Sequence, residues 1–398
     1  MRLKSVRPPK YVSDVMEALE KRGYEVYMVG GCVRDILLSR RPFDWDVCTS
    51  ALPDEIMAAF PHSRPTGLKH GTVTVFSRGS AVEITTFRSD GEYKDHRRPE
   101  SVRFTGDLKS DLERRDFTMN ALSLSLSGEI IDLFGGKEDI KRGIIRCVGE
   151  PEKRFDEDAL RMLRALRFSA VLGFDIEPKT LAAIKNKAYL AGELAKERVR
   201  TELEKILLSD SPQLIEDVID FGLLRGIVTP DTKRPNLSAL KRLPKKLALR
   251  WAGLCALLQK YGVIGGAEVF LTLLRLDSAS IRNCGGGSAL ALKDMPKDAV
   301  SWKRLLAVYG TETAECAAAA ADALYGQGHL RLLRSVLRSG ECFSLKQLAV
   351  SGGELSELGF RGTEIGAALS VLLAHVIENP CSNDPEQLLL LAKKMRNP

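Results

Sequence analysis

The chain has 398 residues, too many for one ordinary core, so two to four structural units are expected. Hydrophobic residues make up 44% and charged residues 28%, the balance of a soluble globular protein, and no run reaches the roughly 18 apolar residues of a membrane span. The formal net charge of +7 is compatible with an anionic partner without demanding one.

The N-terminal stretch is basic but lacks a continuous apolar region, so no signal peptide is read. The cysteines at 32, 48, 147, 255, 284, 316, 342 and 381 form no Cys-x-x-Cys, which argues against a zinc ribbon or disulfide framework and for reduced thiols in a cytoplasmic protein. Residues 11–22 read as a helix, with Val12, Val15, Met16 and Leu19 at helical spacing. "YEVYMVGG" is a strand closed by glycine, residues 31–38 restart as a helix, and "DWDVCT" is a second strand. "SALPDEIMAAF" is a capped helix with Pro53 near its first turn, and "GTVTVFS" with "SAVEITTFR" alternate as a hairpin turning through "RGS". The stretch 88–112 is polar, glycine-containing and rich in both charges, which marks a loop.

To about residue 145 the pattern is therefore α/β, and after about 150 the strand signals stop. Residues 155–171, 179–187, 190–208, 212–222, 237–260 and 300–375 read as helices, while the Gly/Ser-rich 278–294 reads as a loop or hinge. No repeat of fixed period occurs.

The chemistry begins at "VYMVGGCVRD…DWD". Residues i and i+2 of a strand share a face, so Asp44 and Asp46 project together while Trp45 points toward the core. Two neighbouring carboxylates repel unless a cation lies between them, and hard oxygen ligands beside a phosphate-bearing substrate suit Mg²⁺. Two such ions about 4 Å apart can activate an attacking oxygen and stabilise a leaving phosphate. Gly30 and Gly31 let backbone N–H groups approach a phosphate, and Arg34 adds a fixed positive charge one turn into the helix. An isolated Asp-x-Asp, or an isolated Gly-Gly, is most often a turn; the combination on strand–helix–strand carries the argument.

"GGCVRD…DWD" resembles the head of the DNA polymerase β nucleotidyltransferase superfamily, and "GGxVRD" resembles class II tRNA nucleotidyltransferases and bacterial poly(A) polymerases. Trp45 stands where members often have an aliphatic residue. Glu83, on the adjacent strand, matches a third carboxylate that can assist in the superfamily. "RRDFTMNAL" (114–122) is similar to the family's second motif, which implies that Arg115 contacts ribose or phosphates and that Asn120 organises the turn beneath.

"RFDEDALRMLRALRF" (154–168) is the most informative stretch. As an isolated amphipathic helix it needs only a solvated, salt-bridged face, with Asp158 and Arg161 as i, i+3 neighbours and Arg164 and Arg167 continuing the stripe. Residue types fit a sharper reading: a carboxylate accepts from the exocyclic amine shared by cytosine and adenine, and a guanidinium donates to the ring acceptor beside it. Uracil and guanine place a carbonyl there. A pair of this kind discriminates by about 1–3 kcal/mol per base, more where a buried group is left unpaired. The resemblance assigns this role to "EDxxR", here Glu157 to Arg161, and matches Arg164 and Arg167 to further nucleotide-contacting arginines. In the family the segment at 88–112 is a mobile loop in the change from C to A addition, and "KERVRTELEKIL" (196–207) resembles a helix supporting the neck.

The resemblance, strong over about 24–207 and weaker to the end, implies an α+β protein. A polymerase β-like head with a mixed sheet (1–145) precedes an all-α neck carrying the base-reading motif (146–222), a body (223–298) and a tRNA-binding tail (299–398). The implied activity is addition of CMP, CMP and AMP from CTP and ATP to the 3′ end of tRNA, with Mg²⁺ on Asp44 and Asp46. Gly31, Arg34, Arg115, Asp158, Arg161, Arg164 and Arg167 bind the nucleotide. The tRNA is gripped along its acceptor–T arm, and neither a membrane nor an obligate protein partner is called for. An A-adding-only enzyme or a poly(A) polymerase shares these motifs and remains the alternative.

Overall fold

Helix α1 (Lys10–Glu20) buries Val12, Val15, Met16 and Leu19, the four positions set by the helical spacing. In the computed structural model, which describes residues 8–91, 102–230, 232–326 and 328–396, the chain forms two compact units. One comprises Met1–Glu202 with Asp217–Arg225, the other Leu203–Glu216 with Gly226–Pro398.

The first unit is built on β1 (Val26–Val29), α2 (Gly31–Leu37), β2 (Asp46–Thr49), α3 (Pro53–Ala59), β3 (Ser63–Gly67), β4 (Thr72–Ser77), β5 (Ser80–Thr86), β6 (Arg88–Asp90), β7 (Val102–Phe104), α4 (Leu108–Glu113), β8 (Leu122–Leu124) and β9 (Ile130–Asp132). Seven strands make one mixed sheet in the order β3-β4-β5-β2-β1-β8-β9. β1 lies antiparallel to both β2 and β8, whereas β2 runs parallel to β5. The β4–β5 hairpin closes through Arg78-Gly79, whose φ values of 48° and 76° are those of a primed two-residue turn that matches strand twist. Helices α5 (Gly136–Arg142), α6 (Pro151–Glu157), α7 (Leu160–Leu172), α8 (Pro178–Lys187), α9 (Lys196–Leu208) and α10 (Ile215–Asp220) follow. The unit boundary falls inside α9.

The structure corrects several local expectations. The strand carrying Asp46 starts at that residue, so Asp44 sits in a bend before it, and Trp45 is half-buried rather than in the core. The loop expected over 88–112 contains the β6–β7 antiparallel pair and α4, capped by the Asp107 carboxylate on the N–H groups of Lys109 and Ser110; residues 92–101 lie outside the described residues. The helix expected over 155–171 is two helices, because Asp158 takes extended backbone (φ −142°, ψ 101°) between α6 and α7. One short parallel pair, Ile144–Ile145 with Asp175–Ile176, appears where strand signals had faded.

The second unit continues with α11 (Leu247–Lys260), α12 (Ala267–Leu273), α13 (Ser278–Ser280), α14 (Gly286–Ala291), α15 (Ala299–Tyr325), α16 (His329–Ser339), α17 (Gly352–Glu357), α18 (Thr363–Glu378) and α19 (Pro385–Arg396). α11 is buried from Leu249 to Leu258, as a central helix must be, and its one charge there, Arg250, is satisfied by the backbone carbonyls of Leu207, Ser209 and Leu243. It packs on α15, where Ala317 to Ala321 are wholly buried and their small side chains allow close approach. The residues expected to be a loop at 278–294 are helical through Ala291, with a π turn over Ile281–Gly285 joining α13 to α14. Their glycines serve packing instead of flexibility. A Cβ on Gly287 would lie 2.6 Å from Cys316 Cβ and 2.8 Å from the Ala317 backbone nitrogen.

This contact gives a test with an internal control. Gly287→Ala overpacks a helix crossing and should destabilise by about 1–3 kcal/mol despite the better helix propensity of alanine. Gly286→Ala, whose Cβ would meet only Thr313 Cγ2 at 3.7 Å, should be neutral or mildly stabilising. Thermal unfolding of both variants measures the difference; equal melting temperatures would contradict the packing assignment.

Candidate active site

β1 ends against Gly30, whose φ of 78° and ψ of −129° fall where side chains are strained. A Cβ there would also stand 3.2 Å from Arg115 Nη1 and 3.9 Å from Asp46 Oδ2. The first glycine of the pair is thus needed both for the turn and for the approach of an arginine and a carboxylate. At Gly31 the nearest side-chain atom to such a Cβ is Arg34 Nη2, at 3.7 Å, so the guanidinium folds back over the turn.

The parallel register of β2 and β5 sets Asp46 directly beside Glu83, and neighbouring residues in register share a sheet face. Asp44, two residues upstream, is exposed, as are Asp46 and Glu83. The Asp46 carboxyl is pushed above its ordinary value by partial desolvation, then by the charges of Glu83 and Asp44, against the pull of Arg115. Such a cluster is electrostatically incomplete by itself. Among the described residues no three Asp, Glu, His or Cys side chains converge closely enough to hold a metal unaided.

The arginines are held by a connected set of acids. Asp111, fully buried, accepts from Arg114 Nη2 at 2.7 Å and from Arg115 Nη2 at 2.9 Å. Burial would lower Arg115, but Asp111, Cys48 and Asp46 hold its guanidinium above its ordinary value. Asp116 Oδ2 accepts from Arg164 Nε at 2.8 Å and Nη2 at 2.6 Å. Its Oδ1 accepts from the Phe117 N–H and from Asn120 Nδ2, while Asn120 Oδ1 accepts from Arg34 Nη1 at 2.8 Å. Burial alone would raise the Asp116 carboxyl; the Arg164 pair and the Asn120 bond hold it far below the carboxylate range. Arg34, Arg164 and Arg167 also surround the Phe168 ring, at 5.2, 5.5 and 3.5 Å from its centre. Arg167 Nε reaches Glu202 at 2.9 Å.

The α6–α7 break supplies the remaining predicted residues. Asp158 Oδ1 accepts from the Leu160 N–H at 3.1 Å, and its Oδ2 from Arg198 Nη2 at 2.9 Å. Arg161 donates through Nη1 to Glu157 (2.8 Å) and the Arg154 carbonyl, and through Nη2 to the Arg114 carbonyl at 2.8 Å. Arg154 pairs with the same Glu157 at 2.7 Å and donates to the Glu113 carbonyl.

The structure therefore gathers Gly31, Arg34, Asp46 and Arg115 around one turn and links Arg34 to Arg164 through Asn120 and Asp116. Asp158 and Arg161 do not bond each other; each has its own partners. Sequence reasoning missed Asp111, Asp116, Phe168 and Arg198. The i, i+4 spacing of Arg164 and Phe168 was a usable signal for the ring; nothing local signalled the Arg198–Asp158 bond.

The chain resembles known proteins in sequence and fold. The profile of the poly A polymerase head domain matches residues 26–146, and that of a probable RNA and SrmB-binding site of polymerase A matches residues 173–234. A CCA-adding enzyme of Geobacillus stearothermophilus is 39% identical over 396 residues, covering 96% of each chain. One from Limosilactobacillus reuteri is 48% identical over 227 residues, 57% of this chain and 56% of its own. The crystal structure of Bacillus stearothermophilus CCA-adding enzyme in complex with CTP superposes with a TM-score of 0.83 at 34% identity, covering 98% of both chains.

The buried Asp116 carboxylate carries a pH signature. Its proton affinity in the folded state is depressed, so its stabilising contribution is present above the unfolded carboxylate value near 4 and is lost as pH falls through the folded value. Asp116→Asn should cost about 1–3 kcal/mol at pH 7 by removing the charge that Arg164, itself one-third exposed, is paired with, the gap to the parent narrowing below about pH 4. Denaturant unfolding of both proteins between pH 7 and pH 2 measures it; a gap that does not change with pH would contradict the assignment.

Proposed function

The chain belongs to the family of CCA-adding enzymes, and from that premise we propose which of its residues carry the reaction. It is a nucleotidyltransferase that adds CMP, CMP and AMP from CTP and ATP to the 3′ end of tRNA without a nucleic-acid template, releasing pyrophosphate. Relatives aligned along nearly the whole chain are CCA-adding enzymes, which favours this activity over an A-adding-only enzyme or a poly(A) polymerase.

Asp44 and Asp46 hold a divalent cation in this reading, and Mg²⁺ suits their hard oxygens and a triphosphate substrate. Two carboxylates are too few to hold such a cation alone, so the bound nucleotide would have to supply further oxygen ligands. Desolvation first, and then the charges of Glu83 and Asp44, raise the Asp46 carboxyl; that crowding of acids fits residues built to share a cation and supports Glu83 as the third acid. When bound, the cation eases deprotonation of the primer hydroxyl and neutralises charge on the leaving pyrophosphate.

The rest is positioning. Gly31, Arg34 and Arg115 hold the triphosphate and ribose, with Arg34 and Arg115 pre-oriented by Asn120 and Asp111. Asp158 accepts from the amine of C or A. Three of the five N–H donors of Arg161 are committed to Glu157 and two carbonyls, which fixes the plane in which the other two meet a base edge. Arg164 and Arg167 support from the Phe168 side. Residues 1–145 act as head, 146–222 as neck, 223–298 as body and 299–398 as tRNA-binding tail. No helix of the described residues is long and apolar enough to cross a membrane, and seven buried free cysteines fit a cytoplasmic setting.

The observation that carries this reading is the in-register pairing of Asp46 with Glu83 beside the Gly30 turn and Arg115. Three tRNA transcripts, ending before CCA, after the first C and after the second, with CTP and ATP supplied singly and together, test it. Asp44→Ala and Asp46→Ala should each abolish C and A addition while tRNA binding stays nearly intact; near-normal turnover by either would sink the metal-site reading. Asp158→Asn places a donor amide at the reading position, so incorporation of UTP or GTP should become measurable and the CTP/ATP preference should fall. An unchanged preference in a variant with the parental melting curve would refute Asp158 as the base reader.

A further inference from the structure

Helix α16 (His329–Ser339) separates its residues sharply. Leu330, Leu333 and Val336 are buried, while Arg331, Arg334 and Arg338 are exposed on the opposite side. Arg331 and Arg338 are two turns apart, about 10.5 Å along the axis. With Ser335, Leu332 and Lys297 they line a groove of about 540 Å³. The Arg331 guanidinium folds over Gly328, its Nη2 3.6 Å from where a Cβ would stand.

Arg334 stands three residues after Arg331 and four before Arg338, spacings at which like charges repel, so the arrangement costs stability in the free protein. Among the described residues none of the three arginines, nor Lys297, has an ion-pair partner. Other exposed cations of the same unit do: Lys246 with Glu315, and Arg304 with Glu378. No acidic residue among those described lines the groove, and two acids next to its lining residues are committed elsewhere. Asp322 caps α16 through the N–H groups of His329 and Leu330, and Asp298 caps α15 through Ser301.

We propose that the Arg331–Arg338 face of α16, with Lys297, docks the phosphate backbone of the tRNA. The identity of the RNA rests on the CCA-adding reading above; the surface itself is read from unpaired charge. Its chemistry is that of phosphate contact: fork-shaped donors, a hydroxyl and a glycine, which position an RNA without reading its bases. No Phe, Tyr or Trp lines the groove, so it lacks the aromatic anchors on which protein partners depend. A phosphate-contact surface must lose affinity with salt through counterion release, with a slope of about 0.9 per phosphate neutralised.

The test uses the full chain and a tRNA transcript lacking CCA. The double variant Arg331→Gln/Arg338→Gln should raise the tRNA KM about tenfold near physiological salt. It should also flatten the log–log salt dependence of tRNA binding by about 1.8, two lost contacts at the constant above. The kcat and the KM for CTP should stay unchanged. Lys297→Gln, off the helix, should flatten the slope by about 0.9 alone, which keeps the test valid if the double variant folds poorly. An unchanged tRNA KM and salt slope in folded variants would overturn the docking face while leaving the enzyme assignment intact. If the parent adds neither C nor A to the transcript, the premise falls instead, together with the naming of the RNA. Reduced affinity with an unchanged salt slope would also overturn the proposal, since it would mean lost packing and not lost phosphate contact.

Discussion

A carboxylate as buried as Asp116 stays ionised only where cations and N–H donors replace its water, and here they come from separated parts of the chain. Arg164 grips one oxygen with two nitrogens, while the Phe117 N–H and Asn120 hold the other. Asn120 in turn orients Arg34, one turn beyond the glycine pair. The Gly30–Gly31 turn and helix α7 are therefore braced through one acid. Leaving such a charge unpaired costs several kcal/mol, so the two cannot drift apart cheaply.

The residues on either side of Asp116 extend the same logic through the main chain. The carbonyls of Glu113 and Arg114 accept from Arg154 and Arg161, and the side chains of Arg114 and Arg115 both end on Asp111. A short segment thus carries Arg115 beside Asp46, anchors Arg161 through the Arg114 carbonyl, and holds Arg164, which lies over the Phe168 ring, through Asp116. This pre-orientation matters for a site that must choose between bases with its own side chains. A guanidinium held by two carbonyls and a carboxylate loses little entropy on binding, and its donors point in fixed directions.

Much of this was legible in the sequence because it is local. The helical spacing of Val12, Val15, Met16 and Leu19 picked out what α1 buries, the turn at Arg78-Gly79 was readable from its flanking alternation, and Asp46 falls on a strand end beside Glu83. What failed depended on tertiary choice. Helical periodicity runs unbroken through Asp158, yet its backbone is extended and its carboxylate is engaged by Arg198 and the Leu160 N–H, so the helix parts there. The Gly/Ser-rich segment at 278–294 looked like a hinge, because composition cannot separate glycines that bend a chain from glycines that let helices touch. Asp111 and Asp116 were invisible for the same reason. An acid next to two arginines looks like surface until the fold buries it.

The arginines fall into two physical classes, and the difference follows from what each must meet. Those around Phe168 and Asp116 are paired, partly buried and fixed, as suits a small ligand whose phosphates and base edge present few, well-placed acceptors. Those on α16 are exposed and lack acid partners among the described residues. Fixing them would gain little, because an RNA backbone offers a repeating line of equivalent charges and can be met in many registers. Leaving them unpaired keeps their full charge available for counterion release, at the cost of repulsion along one exposed helix face. Rigidity is thus spent at the site proposed to discriminate between nucleotides, and loose positive charge is kept on the face proposed to hold a polyanion.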